Sequence, residues 1–332
     1  MKRFANVVPM ICLTAATLSA AGCGSSSKKA QAEEQEPATE SVVYFTRDIS
    51  PAGLMRVYEA LGRKAEGRVA IKISTGEPGG HNYLKPELIG DLVRTTGGTI
   101  VECNTAYGGR RSSTEEHLKA AEEHGFTAIA RVDIMDAEGD MRIPVRDTTH
   151  IKYDLVGSHL ADYDFMINLA HFKGHAMGGF GGVLKNQSIG VASAAGKAYI
   201  HTAGKTADVA QLWQNIAEQD AFLESMAAAA QGVADVFGDR IIYINVLNNL
   251  SVDCDCDSSP EDPRMSDIGI MASIDPVALD QASVDMVYAS PEEGKSHLIE
   301  RMESRHGIHT VEHAAKIGLG SREYRLVDLD AR

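Results

Sequence analysis

Cysteine is scarce in this sequence, with five in 332 residues. Cys12 and Cys23 sit near the start, which leaves Cys103, Cys254 and Cys256 for the body of the chain. Three cysteines exclude a disulfide-stapled fold. With no CxxCxxC run, no self-contained ferredoxin-type cluster site is present. Positive charge is also short: 32 Lys and Arg stand against 46 Asp and Glu, a net charge of −14. That balance excludes the basic footprint on which nucleic-acid binding depends. Beyond the N-terminal segment no apolar run reaches the roughly 20 residues of a membrane helix. One shortage is local. From Phe165 to Ala207 there is no Asp or Glu, where roughly six would fall by composition.

What fills that window is Lys173, Lys185, Lys197 and Lys205 with His171, His175 and His201. Its first half is a glycine-rich stretch, Asn168-Leu-Ala-His-Phe-Lys-Gly-His-Ala-Met-Gly-Gly-Phe-Gly-Gly-Val-Leu-Lys-Asn186, behind the apolar run 165–170. Glycine lets a ligand approach the main chain. Histidine offers metal ligands or proton transfer, and lysine a point charge or a nucleophile. A cationic pocket on an acidic protein predicts a small anionic ligand, with His171, His175 and Lys185 as catalytic candidates.

The N-terminus reads as an export signal. Lys2 and Arg3 precede an apolar run ending in Leu18-Ser-Ala-Ala-Gly22-Cys23. Small residues directly before a cysteine resemble the lipobox of bacterial lipoproteins. The expectation is a signal peptide over 1–22, a lipidated flexible tether over 23–41 carried on Cys23, and a folded domain over 42–330. The protein would then be an extracytoplasmic, membrane-anchored lipoprotein. The polar, aromatic-poor composition of the tether fits a chain that does not fold.

The body alternates strands and helices. Strands are expected at 42–45, 69–73, 99–103, 165–170, 241–247, 268–272 and 324–329. Helices are expected at 51–61, 86–94, 114–124 and from Asp275-Pro276 through 288, the last with Asp as N-cap and Pro at N1. Ser113 and Glu116 have the spacing of a capping box, short strands in a meander are expected over 126–155, and Trp213 and Met226 are expected in the core. This order predicts an α/β fold with a mostly parallel sheet covered by helices, as one large domain or two closely packed lobes. Loops 74–85, 104–112, 171–186 and 248–257 each follow a strand, and ligands in such sheets bind beyond the strands' carboxyl ends. The last of them carries Asp253-Cys254-Asp255-Cys256, where thiolates and carboxylates invite a cation. A polar surface loop and a redox-labile thiol pair are the alternatives.

GEPGGHNYLKPE (76–87), NTAYGGRRSSTEEHLKAAEEHGF (104–126), AHFKGHAMGGFGGVLKN (170–186), VDCDC (252–256) and DIGIMASIDPVALDQASVD (267–285) together resemble domain-of-unknown-function family 362. Its members are often labelled Fe–S centre proteins, and many carry a CxxCxxC module that this chain lacks. The loop His175-x2-Gly178-x2-Gly181-Gly182-x2-Lys185 is similar to that of the lactate racemase family. That resemblance implies a nickel-containing cofactor held on Lys185, with nearby histidines as metal ligand or acid/base. The combined expectation has His175, Cys254, Cys256 and Asp255 around a metal (Fe, Ni or Zn). Lys173, Gly181, Gly182, Lys185, Asn186, Glu77, His81 and Arg111 would hold the cofactor or anion. Three functions stay open: an enzyme on a small anionic substrate, a metal or Fe–S-associated redox protein with a redox partner, and a tethered anion-binding protein.

Overall fold

The structure, a computed structural model, describes residues 40–331. The signal segment, Cys23 and nearly all of the expected tether lie outside the described residues. The strands are β1 Ser41–Thr46, β2 Val69–Lys72, β3 Thr99–Glu102, β4 Val132–Ile134, β5 Asp140–Ile143, β6 Asp154–Gly157, β7 Phe165–His171, β8 Lys173–His175, β9 Gly179–Gly181, β10 Ile241–Leu247, β11 Gly269–Ser273 and β12 Tyr324–Asp328. The α-helices are α1 Pro51–Ala60, α2 Pro86–Thr96, α3 Thr114–Glu123, α4 Val183–Ser188, α5 Ala194–His201, α6 Gln219–Phe237, α7 Pro276–Ala289, α8 Lys295–Ser304 and α9 His309–Lys316.

Eight strands form one sheet in the order β12-β1-β11-β10-β7-β2-β3-β4. All run parallel except β11, which is antiparallel to both β1 and β10. The central strands β7 and β10 are buried along their whole length, as a parallel sheet covered on both faces requires. Their side chains alternate between two cores. Met166, Ala170, Tyr243 and Leu247 pack on one face with α4, α6, α7 and α9. Ile167, Leu169, Ile242, Ile244 and Val246 pack on the other with α1 and α2.

Several expectations are corrected. β4 joins the main sheet beside β3 instead of a meander, and only β5 and β6 pair as a hairpin. The glycine stretch folds into the β8–β9 ribbon and α4, followed by α5; neither helix shows a clear apolar period. Ser113 caps α3 by position but makes no side-chain cap bond, and the Glu116 side chain pairs with Arg110 and Lys119. Met226 is in the core, but Trp213 is 59% exposed on a 3-10 turn. Asp275 does cap α7, accepting from the Val277 and Ala278 amides.

One buried carboxyl makes stability depend on pH. Asp154 accepts from the Leu155 amide at 2.8 Å while its other oxygen has no partner. Burial pushes its pKa up to about 7, against weaker opposing pulls from Leu155 and Lys197. The folded value exceeds the unfolded value of about 3.9, so this stabilising contribution is full below pH ~4 and is lost as pH rises through ~7. Asp154→Asn is expected to remove that slope, worth up to about 4 kcal/mol, and to exceed wild-type stability at pH 8. Urea titrations at pH 5 and 8 measure it, and an unchanged slope would refute the assignment.

Candidate functional site

The loops that leave β2, β3, β7 and β10 meet in one cleft of about 370 Å³ at the carboxyl ends of these strands. Glu77, Tyr107, Gly109, His175, Asp253, Cys254 and Cys256 are in its wall, so all four segments singled out by sequence contribute. Close backbone approach holds them together. The Gly174 amide donates to Ser251 O at 2.8 Å, and a Cβ on Gly174 would stand 2.4 Å from Val252 O. Glu77 N donates to Asp255 O at 2.7 Å, tying the first loop to the cysteine loop.

The helix carrying Lys185 is bolted to the sheet by buried polar groups. Asn168 on β7 donates to Val183 O and Gln187 Oε1. Asn186 donates to Asn168 Oδ1 and Lys72 O and accepts from Lys72 Nζ at 3.0 Å. Asp280 of α7 accepts from the Val183 and Leu184 amides, and Asn245 of β10 donates to it. Gly182 is where it is because a Cβ there would meet Asp280 Oδ1 at 2.2 Å. Gly182 and Asn186, expected to hold a cofactor, therefore make this framework. Gly181 leaves room beside the Lys185 stem.

The outcome for the candidate ligands is mixed. His175, Cys254 and Cys256 present atoms within 4.8 Å of one another. The two sulfurs are 2.7 Å apart, with Cys256 donating to Cys254, and Lys185 Nζ is 3.8 Å from Cys254 Sγ. The Cys256 hydrogen bond, Lys185 and His175 hold Cys254 well below the usual thiol range in spite of burial, while Cys256 is pushed up. The surroundings thus favour the thiolate form at Cys254. His175 Nδ1 accepts from the Met177 and Gly178 amides, so the neutral ring keeps its proton on Nε2. Burial and then Lys185 lower its pKa to about 4. His175 thus stays grouped with the two sulfurs, and its ring interacts with Cys254.

Asp255 is corrected. Its carboxylate does not join the sulfurs but pairs with His171 Nδ1 at 2.9 Å and Lys173 Nζ at 2.8 Å. Burial, which would raise its pKa, is outweighed by His171 and then Lys173. His171 Nε2 faces Asn248 O at 2.6 Å. With both ring nitrogens engaged, His171 is a structural brace without a free nitrogen for proton transfer, and Lys173 is neutralised. His81 is exposed and paired with Asp262, outside the cleft wall. Arg111 and Glu77 are buried together: Arg111 bridges Glu77 and Glu102 at 3.1 Å each, and His117 meets Glu102 from the other side.

Lys72 and Tyr107 are not among the candidates the sequence offers, Lys197 and His201 enter only as members of the acid-free window, and of the four Tyr107 lines the cleft. Burial lowers Lys72 to about 8, and Lys197 also falls. Tyr107 Oη lies 2.6 Å from His201 Nε2, and His201 Nδ1 is buried without a partner. Only an isolated lysine in the β2 apolar run signalled the first of these. Cys103 is buried, donates to Val191 O at 3.1 Å and has its thiol pushed up to about 12 by burial.

Fold and site together define an α/β protein with a thiol-bearing cleft at the carboxyl end of a mainly parallel sheet; Lys185 is not in the cleft wall but stands behind the Cys254 sulfur. The chain belongs to the family described as Domain of unknown function (DUF362), whose model matches residues 69–285 and so spans every residue lining the cleft. Among curated proteins none matches. Of solved structures, the lactate racemase apoprotein from Thermoanaerobacterium thermosaccharolyticum is similar, with 14% identity and a TM-score of 0.44 over 74% of this chain and 56% of that one. This chain therefore spans little more than half of that protein's length.

Proposed function

We propose that this protein binds a transition-metal ion of the zinc, nickel or iron type through Cys254 and Cys256 and takes a small anionic ligand beside it on Lys185. The observation that carries the reading is the sulfur pair at 2.7 Å with an ammonium 3.8 Å away. Thiolate sulfur suits these metals. Among the described residues Lys185 has no carboxylate partner, which leaves its charge for a ligand, whereas Lys173 is spent on Asp255. A bound metal would supply Lewis acidity. The chain's own groups would do the rest: His175 Nε2–H donates to the Cys254 sulfur, and Lys185 neutralises the anion. With Cys23 lipidated, this chemistry would take place outside the cytoplasm.

The same sulfur contact favours a second reading, a redox dithiol. Cys254 and Cys256 would close to a disulfide, passing two electrons to a redox partner and releasing the one proton that Cys256 shares with Cys254. Metal analysis and intact mass of protein from its native host separate the two. About one equivalent of metal that depends on the sulfurs, and so is lost in Cys254→Ser/Cys256→Ser, is expected. An added mass mapping to Lys185 would extend the reading to a covalently held cofactor. Metal-free protein that gains a disulfide on oxidation would leave the redox reading. In the same host, Cys23→Ser should release the protein from the membrane fraction, and unchanged partitioning would remove the anchor.

A further inference from the structure

A second cluster of ligating groups lies outside the cleft, and two of its members, His309 and His313, lie beyond the matched residues 69–285. His309 and His313 stand one turn apart on the same face of α9. Glu224 of α6 faces both. Its Oε1 is 3.1 Å from His309 Nε2 and 3.4 Å from His313 Nδ1. The other oxygen, Oε2, meets His150 Nε2 at 2.6 Å.

His313 is the informative member. Its side chain is 5% exposed, and its Nε2 bonds Asp147 at 2.8 Å. A donor Nε2–H toward a carboxylate leaves the Nδ1 lone pair free. That Nδ1 is buried with no hydrogen-bond partner and faces a carboxylate oxygen. A lone pair and an anionic oxygen do not sit face to face without a cation between them. Carboxylate–histidine–metal chains have this form, the outer carboxylate setting the tautomer of the ligating ring.

We propose that Glu224, His309 and His313 form a second binding site for a divalent metal of the zinc class, with Asp147 and His150 as its orienting partners. Two imidazole nitrogens and one carboxylate oxygen are a donor set that zinc, cobalt and nickel accept, with the fourth position left to water. The ion would clip α9 to α6 and to the segment carrying Asp147 and His150. The competing account is a protonated His313 ring held between two carboxylates.

The test uses Co2+ as probe with the full-length protein in a Cys254→Ser/Cys256→Ser background, so that the cleft cannot contribute. One equivalent should bind with visible ligand-field bands and raise Tm. His309→Ala, at a partly exposed position, and the isosteric Glu224→Gln should each weaken binding at least about tenfold. The His313 imidazole resonances should move on adding Zn2+. Absence of Co2+ binding, binding untouched by both substitutions, or His313 resonances that respond to pH but not to Zn2+ would overturn the proposal in favour of the protonated ring.

Discussion

Lys185→Ala is expected to weaken binding of small anions by roughly 30-fold, about 2 kcal/mol, the low end for losing one partner of a buried charged pair. The low end applies because Lys185 is only partly buried. Calorimetric titration with inorganic phosphate and with acetate measures it. The substitution should leave the fold intact, because among the described residues the ammonium hydrogen-bonds only the Cys254 sulfur while α4 is held by Asn168, Asn186 and Asp280. It should also slow alkylation of Cys254 by iodoacetamide near neutral pH, since Lys185 is one of the groups that favour its thiolate. Anion affinity and alkylation rate both equal to wild type would remove Lys185 from the site.

Arg111→Met should cost about 3–5 kcal/mol of stability, the range for breaking a buried ion pair by removing one side. Arg111, Glu77 and Glu102 all have nearly inaccessible side chains. The cost is the desolvation of two carboxylates left without their guanidinium. Burial alone would raise the pKa of Glu102, but His117 and then Arg111 hold it below the ordinary carboxylate range. That contribution is present above the unfolded pKa and is lost as pH falls through the folded one. The Arg111→Met deficit, read by urea titration, should therefore shrink below about pH 4, where unfolded glutamate takes up its proton. Adding Glu77→Gln and Glu102→Gln to the variant should recover a large part of the loss, because neutral groups demand less compensation. A triple variant no more stable than Arg111→Met would show that the arginine acts by shape alone. Since Glu77 also accepts from the Arg110 amide and lines the cleft, Arg111→Met should weaken metal retention as well.

Local order was enough to read the architecture from the sequence. Apolar runs such as Phe165–Ala170 and Ile241–Leu247 became the two fully buried central strands. The Asp275-Pro276 start of α7 was legible because capping is decided within four residues. That four separate loops share one cleft followed from the parallel sheet, which collects the loops after its strands at one edge. Whether each charge in the cleft is free could not be read, because its partner comes from far along the chain. The acid-free window from 165 to 207 looked uniformly cationic, yet Asp255 arrives to neutralise Lys173 and Asp280 arrives to cap α4. The partners of His175 likewise include two backbone amides on Nδ1, and those of His171 are Asp255 and Asn248. The α9 histidines carried the i, i+4 spacing in the sequence, but their partner Glu224 lies 85 residues from His309. Residue types and short-range periodicity determined the sheet, its edge and the supply of ligating groups. Only packing decided which groups keep a free lone pair or charge, because desolvation and pairing depend on neighbours brought together by the fold.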